Sequence, residues 1–285
     1  MLREKRTCAC GEVEIQITEE PFYEHDFESS DECAYCGAVE ATSGLTYALT
    51  ADGKGYELTA IPDSIPVIVV DNVHEGKPVV GIAAGAFKNP EAPQNVPQNN
   101  DTVTSVIINR GIKYIGGGAF YKCVALVTVE LPETLTSIES NAFYGCAKLK
   151  DVILPESLTS IGASAFSKCV SLEEIDCPDS LKAIGGSAFE GCTSLTTVDL
   201  GGVESLGSSA FYGCTTLSDL NLENAKITRV RSYTFYNCGK LTSVTLPATV
   251  TAIDSAAFGN CSELSAVNTS GITVAPDAFE GTQVN

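Results

Sequence analysis

Tryptophan is absent from this 285-residue chain, methionine occurs once and histidine only twice. Imidazole is the one side chain that titrates near neutral pH without help, so acid–base and metal chemistry find few ordinary carriers. Basic residues are scarce too: 17 Lys and Arg stand against 36 Asp and Glu, a net charge of −19. Affinity for nucleic acid and for anionic lipid rests on clustered Lys and Arg, which argues against both. No run of about 20 apolar residues occurs, which excludes a spanning helix and direct membrane insertion. Nor does an apolar stretch follow the basic residues of Met1–Gly11, as a signal peptide requires. The chain is therefore expected to be cytoplasmic or a piece of a longer protein, and its internal organisation favours the piece.

What is present is repetition. Apolar residues make up 44% of the chain, too many for disorder. An Ala-Phe pair, Thr-Phe once, recurs with its Phe at 87, 120, 143, 166, 189, 211, 235, 258 and 279. After a first interval of 33, the spacings run from 21 to 24 and centre on 23. The long interval contains residues 89–100, rich in Pro, Asn and Gln, which read as a solvated loop pushed out of the first coil. Matches at so constant a period mean a solenoid.

One unit shows the physics. In Leu126-Val-Thr-Val129-Glu-Leu131-Pro132 the last two apolar residues alternate with a polar one, as in a strand with one buried face. Pro132 ends the strand because it has no N–H for a ladder. Leu135, Ile138, Ala142, Phe143 and Cys146 follow, and Leu149 to Cys169 repeats the set. No single coil can bury these side chains, so the coils must stack on one continuous core. The apolar runs are cut by Pro or by Gly116-Gly-Gly118 and Gly185-Gly186, short of the roughly ten residues a helix needs. The expected fold is a β-rich repeat solenoid of parallel stacked short strands, one or two per coil, with at most a helical turn at each Ala-Phe.

The signature Leu-x-x-Val-x-Leu-Pro-x-x-Leu-x-x-Ile, followed by Ala-Phe-x-x-Cys, resembles the BspA-like leucine-rich repeats of bacterial surfaces. The resemblance covers roughly Val79 to Thr282. Ahead of it Leu45, Tyr47 and Leu49 alternate, Asp52-Gly53 turns, and Tyr56 and Leu58 alternate again, a hairpin similar to those that cap such arrays. The expected organisation is a four-cysteine segment at 1–43, the capping hairpin and first strand at 44–78, and the solenoid of about nine coils at 79–285. The resemblance implies secretion or surface display, with adhesion to host or matrix proteins in some members. A spacer or stalk of a larger surface protein, with no ligand of its own, is the alternative.

Departures from the repeat are visible. Cys177 stands where neighbouring units have Leu before Pro, and Gly201 and Glu223 replace the Pro itself. Arg231-Ser-Tyr-Thr-Phe235 replaces the usual small residues, and Thr282 stands where the last Cys belongs.

The twelve cysteines divide by spacing. Cys123, Cys146, Cys169, Cys192, Cys214, Cys238 and Cys261 each lie three residues after the repeat Phe. Stacking at about 4.8 Å brings their Cα atoms within disulfide range, but their Cβ vectors all point into the core. Seven is also an odd number, so reduced, buried thiols are expected. Cys8, Cys10, Cys33 and Cys36 form a separate set, in which Cys33-Ala-Tyr-Cys36-Gly37 is a zinc-knuckle half-site. The less usual Cys8-Ala-Cys10 leaves one structural zinc, two disulfides or a thiol-bearing tail open, with His25 as an alternative ligand.

Outward strand positions read Thr128/Glu130, Asp151/Ile153, Glu174/Asp176, Thr197/Asp199, Asp219/Asn221 and Ser243/Thr245. Glu130, Asp151, Glu174, Asp176, Asp199 and Asp219 are the candidate ligand-binding residues, aligned along the concave face that leucine-rich repeats use. Like charges about 4.8 Å apart repel, so the row costs stability unless cations or a basic partner offset it. A solvated strip is the plainer reading, and no calcium-loop motif is present. Tyr121, Tyr144, Tyr212 and Tyr236 follow the repeat Phe in an interrupted row, read as covering the coil edge. No Gly-x-Ser-x-Gly or phosphate-binding loop occurs, so catalysis is not expected. The expected partner is a protein or glycan, and the expected state a monomer.

Overall fold

The structure, a computed structural model, describes residues 41–62, 64–88 and 100–284. Cys8, Cys10, Cys33, Cys36 and His25 lie outside the described residues, as does 89–99 of the expected loop. Asn100, the last residue of that loop, is buried rather than solvated, and its side-chain oxygen is satisfied by the N–H groups of Thr102 and Val103.

The chain winds into a β-solenoid in which most coils carry two short strands. One ladder follows the Val-x-Leu positions through Val67–Val70, Ser105–Ile108, Thr128–Glu130, Glu174–Asp176, Thr197–Asp199, Asp219–Asn221, Ser243–Val244 and Ala266–Val267. A second follows the Ser-Ile positions, from Lys77–Ile82 through Ser137–Ile138 and Ser160–Ile161 to Thr273–Val274. Pairing between coils is parallel and in register, as in Ser160 with Ser137 on one side and Ala183 on the other. The hairpin Thr46–Leu49 with Tyr56–Ala60 is antiparallel and heads the second ladder, with Tyr56 and Leu58 covering the end of the core. Its tyrosines hold His74, which stacks on Tyr47 at 4.4 Å and meets Tyr56 edge-on at 4.8 Å.

Turns, not helix, surround each Ala-Phe. Asn141 (φ 60°) and Gly145 (φ 71°) flank Phe143 in the left-handed region, and equivalent pairs recur along the stack. A left-handed residue on either side stops helical propagation and turns the Phe143 N–H to the Ala165 carbonyl of the next coil, 2.7 Å away. The repeat phenylalanines therefore fall in one column. From Phe120 to Phe279 successive rings are 4.8–5.5 Å apart and within 14° of parallel.

Neither ladder is continuous. In the first, Asp151 makes a single bridge to Thr128 and the sheet restarts at Glu174; it breaks again between Asn221 and Ser243. The second breaks between Leu206 and Arg229. The shared break falls in the 24-residue interval between Phe211 and Phe235, where one extra residue disturbs the register. Gly201 explains a departure from Pro: its φ is +46°, and a Cβ there would lie 2.3 Å from the Cys177 carbonyl oxygen.

Candidate functional site

The outward residues of the first ladder form two columns, not the single row expected. Strand pleating sends residues two apart to one face but leaves them at different heights across it. Thr128 and Asp151 are in register, as are Glu174, Thr197 and Asp219, so these make one column. Asp176, Asp199 and Asn221 make the other, with Asp176 directly beside Asp199; Glu130 and Ile153 hold the corresponding positions of the two preceding coils. Thr197 separates Glu174 from Asp219, and Ile153 separates Glu130 from Asp176.

The six candidate carboxylates are not equivalent. Glu130, Asp151, Glu174, Asp176 and Asp219 are exposed and make no side-chain hydrogen bond or ion pair among the described residues. Asp199 is half-buried and committed locally: it accepts the Gly201 N–H at 2.9 Å and the Asn221 side-chain amide at 2.7 Å. Asp199-Leu-Gly201 is a turn signal legible in the chain, since Asp readily bonds the backbone two residues on. Beside the columns Lys150 pairs with Glu173 at 3.1 Å, which pushes the Lys150 ammonium up.

Ile153 was named only as the partner position of Asp151. It is 85% exposed, between Glu130 and Asp176, where the first ladder is interrupted. An apolar residue at an outward position of an otherwise alternating strand was the signal for it. The face thus carries five open carboxylates and one unburied aliphatic side chain.

The tyrosines form two stacks, in which Tyr121 and Tyr212 are exposed and Tyr144 and Tyr236 half-buried. Tyr121 and Tyr144 lie 5.0 Å apart and Tyr212 and Tyr236 5.1 Å apart, each pair within 9° of parallel. Lys122 and Lys168 sit over the Tyr121 and Tyr144 rings at 5.4 and 5.3 Å.

The cysteine column is structural. All eight described cysteines are free and buried. Cys146, Cys169, Cys192, Cys214, Cys238 and Cys261 each donate to the carbonyl of the Phe one coil back, at 3.0–3.4 Å. Burial pushes the Cys123 and Cys192 thiols up to about 12. Contact between the neighbouring Cys238 and Cys261 thiols splits them, raising the former and lowering the latter.

These raised values make stability pH-dependent. The protonated thiols stabilise the fold fully below their unfolded value of 9.0, and that contribution is lost as pH rises toward about 12. Alkylation at pH 8 is expected to spare these eight thiols in the folded protein and to label at least eight once it is unfolded without reductant. Fewer than eight labels contradict the assignment. Among the described residues no group of three or more His, Cys, Asp or Glu is placed to hold a metal ion. Nor is any helix there long and apolar enough to cross a membrane.

The comparisons agree with this geometry. The family described as BspA type leucine-rich repeat region matches in six copies, over residues 93–202 and 200–285. A solved leucine-rich repeat protein of T. pallidum is similar with a TM-score of 0.62 and 30% identity, covering 71% of this chain and 91% of that one. The pneumococcal vaccine antigen PcpA is similar in fold, with a TM-score of 0.55 and 18% identity, covering 88% of this chain and 69% of that one. No curated protein matches.

Proposed function

The chain belongs to the BspA-type leucine-rich repeat family, and from that premise we propose that it is a non-catalytic cell-surface binding module. Its contact surface is the outward strand face from Glu130 to Asp219, and its partner a host or matrix protein with a basic surface around an apolar pocket. The observation that carries this reading is Ile153, 85% exposed at the outward position between those of Glu130 and Asp176 in coil order. An isolated apolar side chain on a face of open carboxylates has the makings of a small interface, an anchor with a polar rim. The pneumococcal neighbour is described as a vaccine antigen, which supports a surface location here.

The test is binding to a panel of immobilised matrix proteins and host glycans. A ligand of this face is bound saturably, and Asp151→Asn, Glu174→Gln, Asp176→Asn and Asp219→Asn together weaken it about tenfold or more. The loss is steepest at low salt, where rim charges act over the longest range. Ile153→Ser weakens the same ligand without changing its salt dependence. Saturable binding untouched by either variant counts against the face, and no saturable ligand at all favours a spacer.

A further inference from the structure

One departure from the repeat has no part in the strand face. Between Glu223 and Asp254 the chain has no acidic residue, yet carries Lys226, Arg229, Arg231 and Lys240. In a protein of net charge −19 this is a local reversal of sign. Arg229 pairs with Asp254, and Lys240 with Glu263 at 2.5 Å. Arg231 is exposed and makes no ion pair among the described residues.

Two residues further along the chain Tyr233 is 43% exposed, and Tyr212 of the preceding coil is 37% exposed. Tyr236 stacks on Tyr212 and meets Tyr233 edge-on at 5.5 Å, so the three rings form one cluster. Tyr233 also sits at φ 60°, where other coils place Gly118, Asn141, Ser164, Ser187, Ser209 or Ala256. A bulky side chain in the left-handed region is an outlier that needs a reason, and nothing in the core supplies one because the ring points to solvent. The cluster lies where both ladders are interrupted.

We infer that Tyr212, Tyr233, Tyr236 and Arg231 form a second docking surface, for a carboxylate-rich segment of a protein. Charge complementarity selects the partner: an unpaired guanidinium receives a carboxylate bidentately. Tyr and Arg are also the residues on which protein interfaces concentrate their affinity. Ring geometry favours a protein segment over a sugar. Tyr212 and Tyr236 cover one another, and Tyr236 leans over Gly259, where an added Cβ would come within 2.8 Å of its ring. Tyr236 is thus covered on both faces and offers its edge and hydroxyl rather than a face for a sugar to stack on. The Tyr236 oxygen accepts from the Asn260 amide at 2.7 Å, which leaves its O–H free to donate. The neighbouring carboxylates Asp254 and Asp277 are held by Arg229 and Ser255, and Glu190 lies one turn before Tyr212.

The probe is a short glutamate-rich synthetic peptide, with a hyaluronate oligomer as the glycan arm. The full chain is expected to bind the peptide, and Arg231→Gln and Tyr233→Gly each to weaken it about tenfold. Tyr233→Gly is also expected to raise the midpoint of thermal unfolding, since glycine adopts this conformation freely; a tyrosine kept for stability would lower it. If that variant fails to fold, Arg231→Gln carries the test alone. Absence of peptide binding, unchanged binding in both variants, or binding of hyaluronate in place of the peptide overturns the proposal. None of these outcomes bears on the strand face, which shares no residue with this cluster.

Discussion

Phe166→Ala is expected to cost about 3–5 kcal/mol of stability. The ring is fully buried between Phe143 at 5.1 Å and Phe189 at 5.3 Å, almost parallel to both. Removing it leaves a cavity whose walls cannot close, because every neighbouring ring is pinned by its own coil. Coils of a solenoid contact only their neighbours, so a gap in the column weakens the coupling between the two halves. Urea unfolding followed by circular dichroism is expected to show an earlier midpoint and a broader transition. Phe166→Leu, which keeps more of the volume, costs less. A loss below about 1 kcal/mol for the alanine variant would contradict a continuous aromatic core.

Gly185→Ala is expected to cost about 2–3 kcal/mol, close to the upper end for an overpacked site. A Cβ there would lie 2.5 Å from the Ala163 nitrogen and 2.6 Å from the Gly162 carbonyl carbon. Both atoms are backbone, so relief requires the coils to separate and the second ladder to open. Gly162 and Gly207 are under the same constraint, at 2.5 Å from Ser140 and 2.3 Å from Gly186. Gly186 is the control, since its nearest contact to an added Cβ is 3.3 Å. Thermal unfolding of the two variants side by side measures the difference; equal losses would mean that close coil approach is not what requires glycine.

Much of this was legible before any coordinates. The period, the inward residues, the parallel stacking and the capping hairpin all follow from spacing, because each buried position repeats at the same step. What escaped depends on single residues that break the repeat. Nothing in Ser164, Ser187 or Ser209 announces a left-handed backbone, since serine there follows from the turn and not the turn from serine. The ladder breaks and the commitment of Asp199 are likewise set by where one coil meets the next. The two columns needed register, which alternation alone does not supply. The acidic face was legible as composition, while its centre at Ile153 needed an exposure that only packing decides. Arg231 and Tyr233 were visible as a departure, and their meaning came from the φ angle and the missing ion pair.

The most direct measurement is amide hydrogen exchange of the chain with and without a saturating matrix-protein ligand. Residues 152–154 lie in the gap of the first ladder, outside any strand, so their amides exchange fast in the free protein. Binding through the strand face is expected to slow Val152, Ile153 and Leu154 and leave the cluster at Tyr233 unchanged. Unaltered exchange at 152–154 in a saturated complex would contradict the strand face as the contact surface.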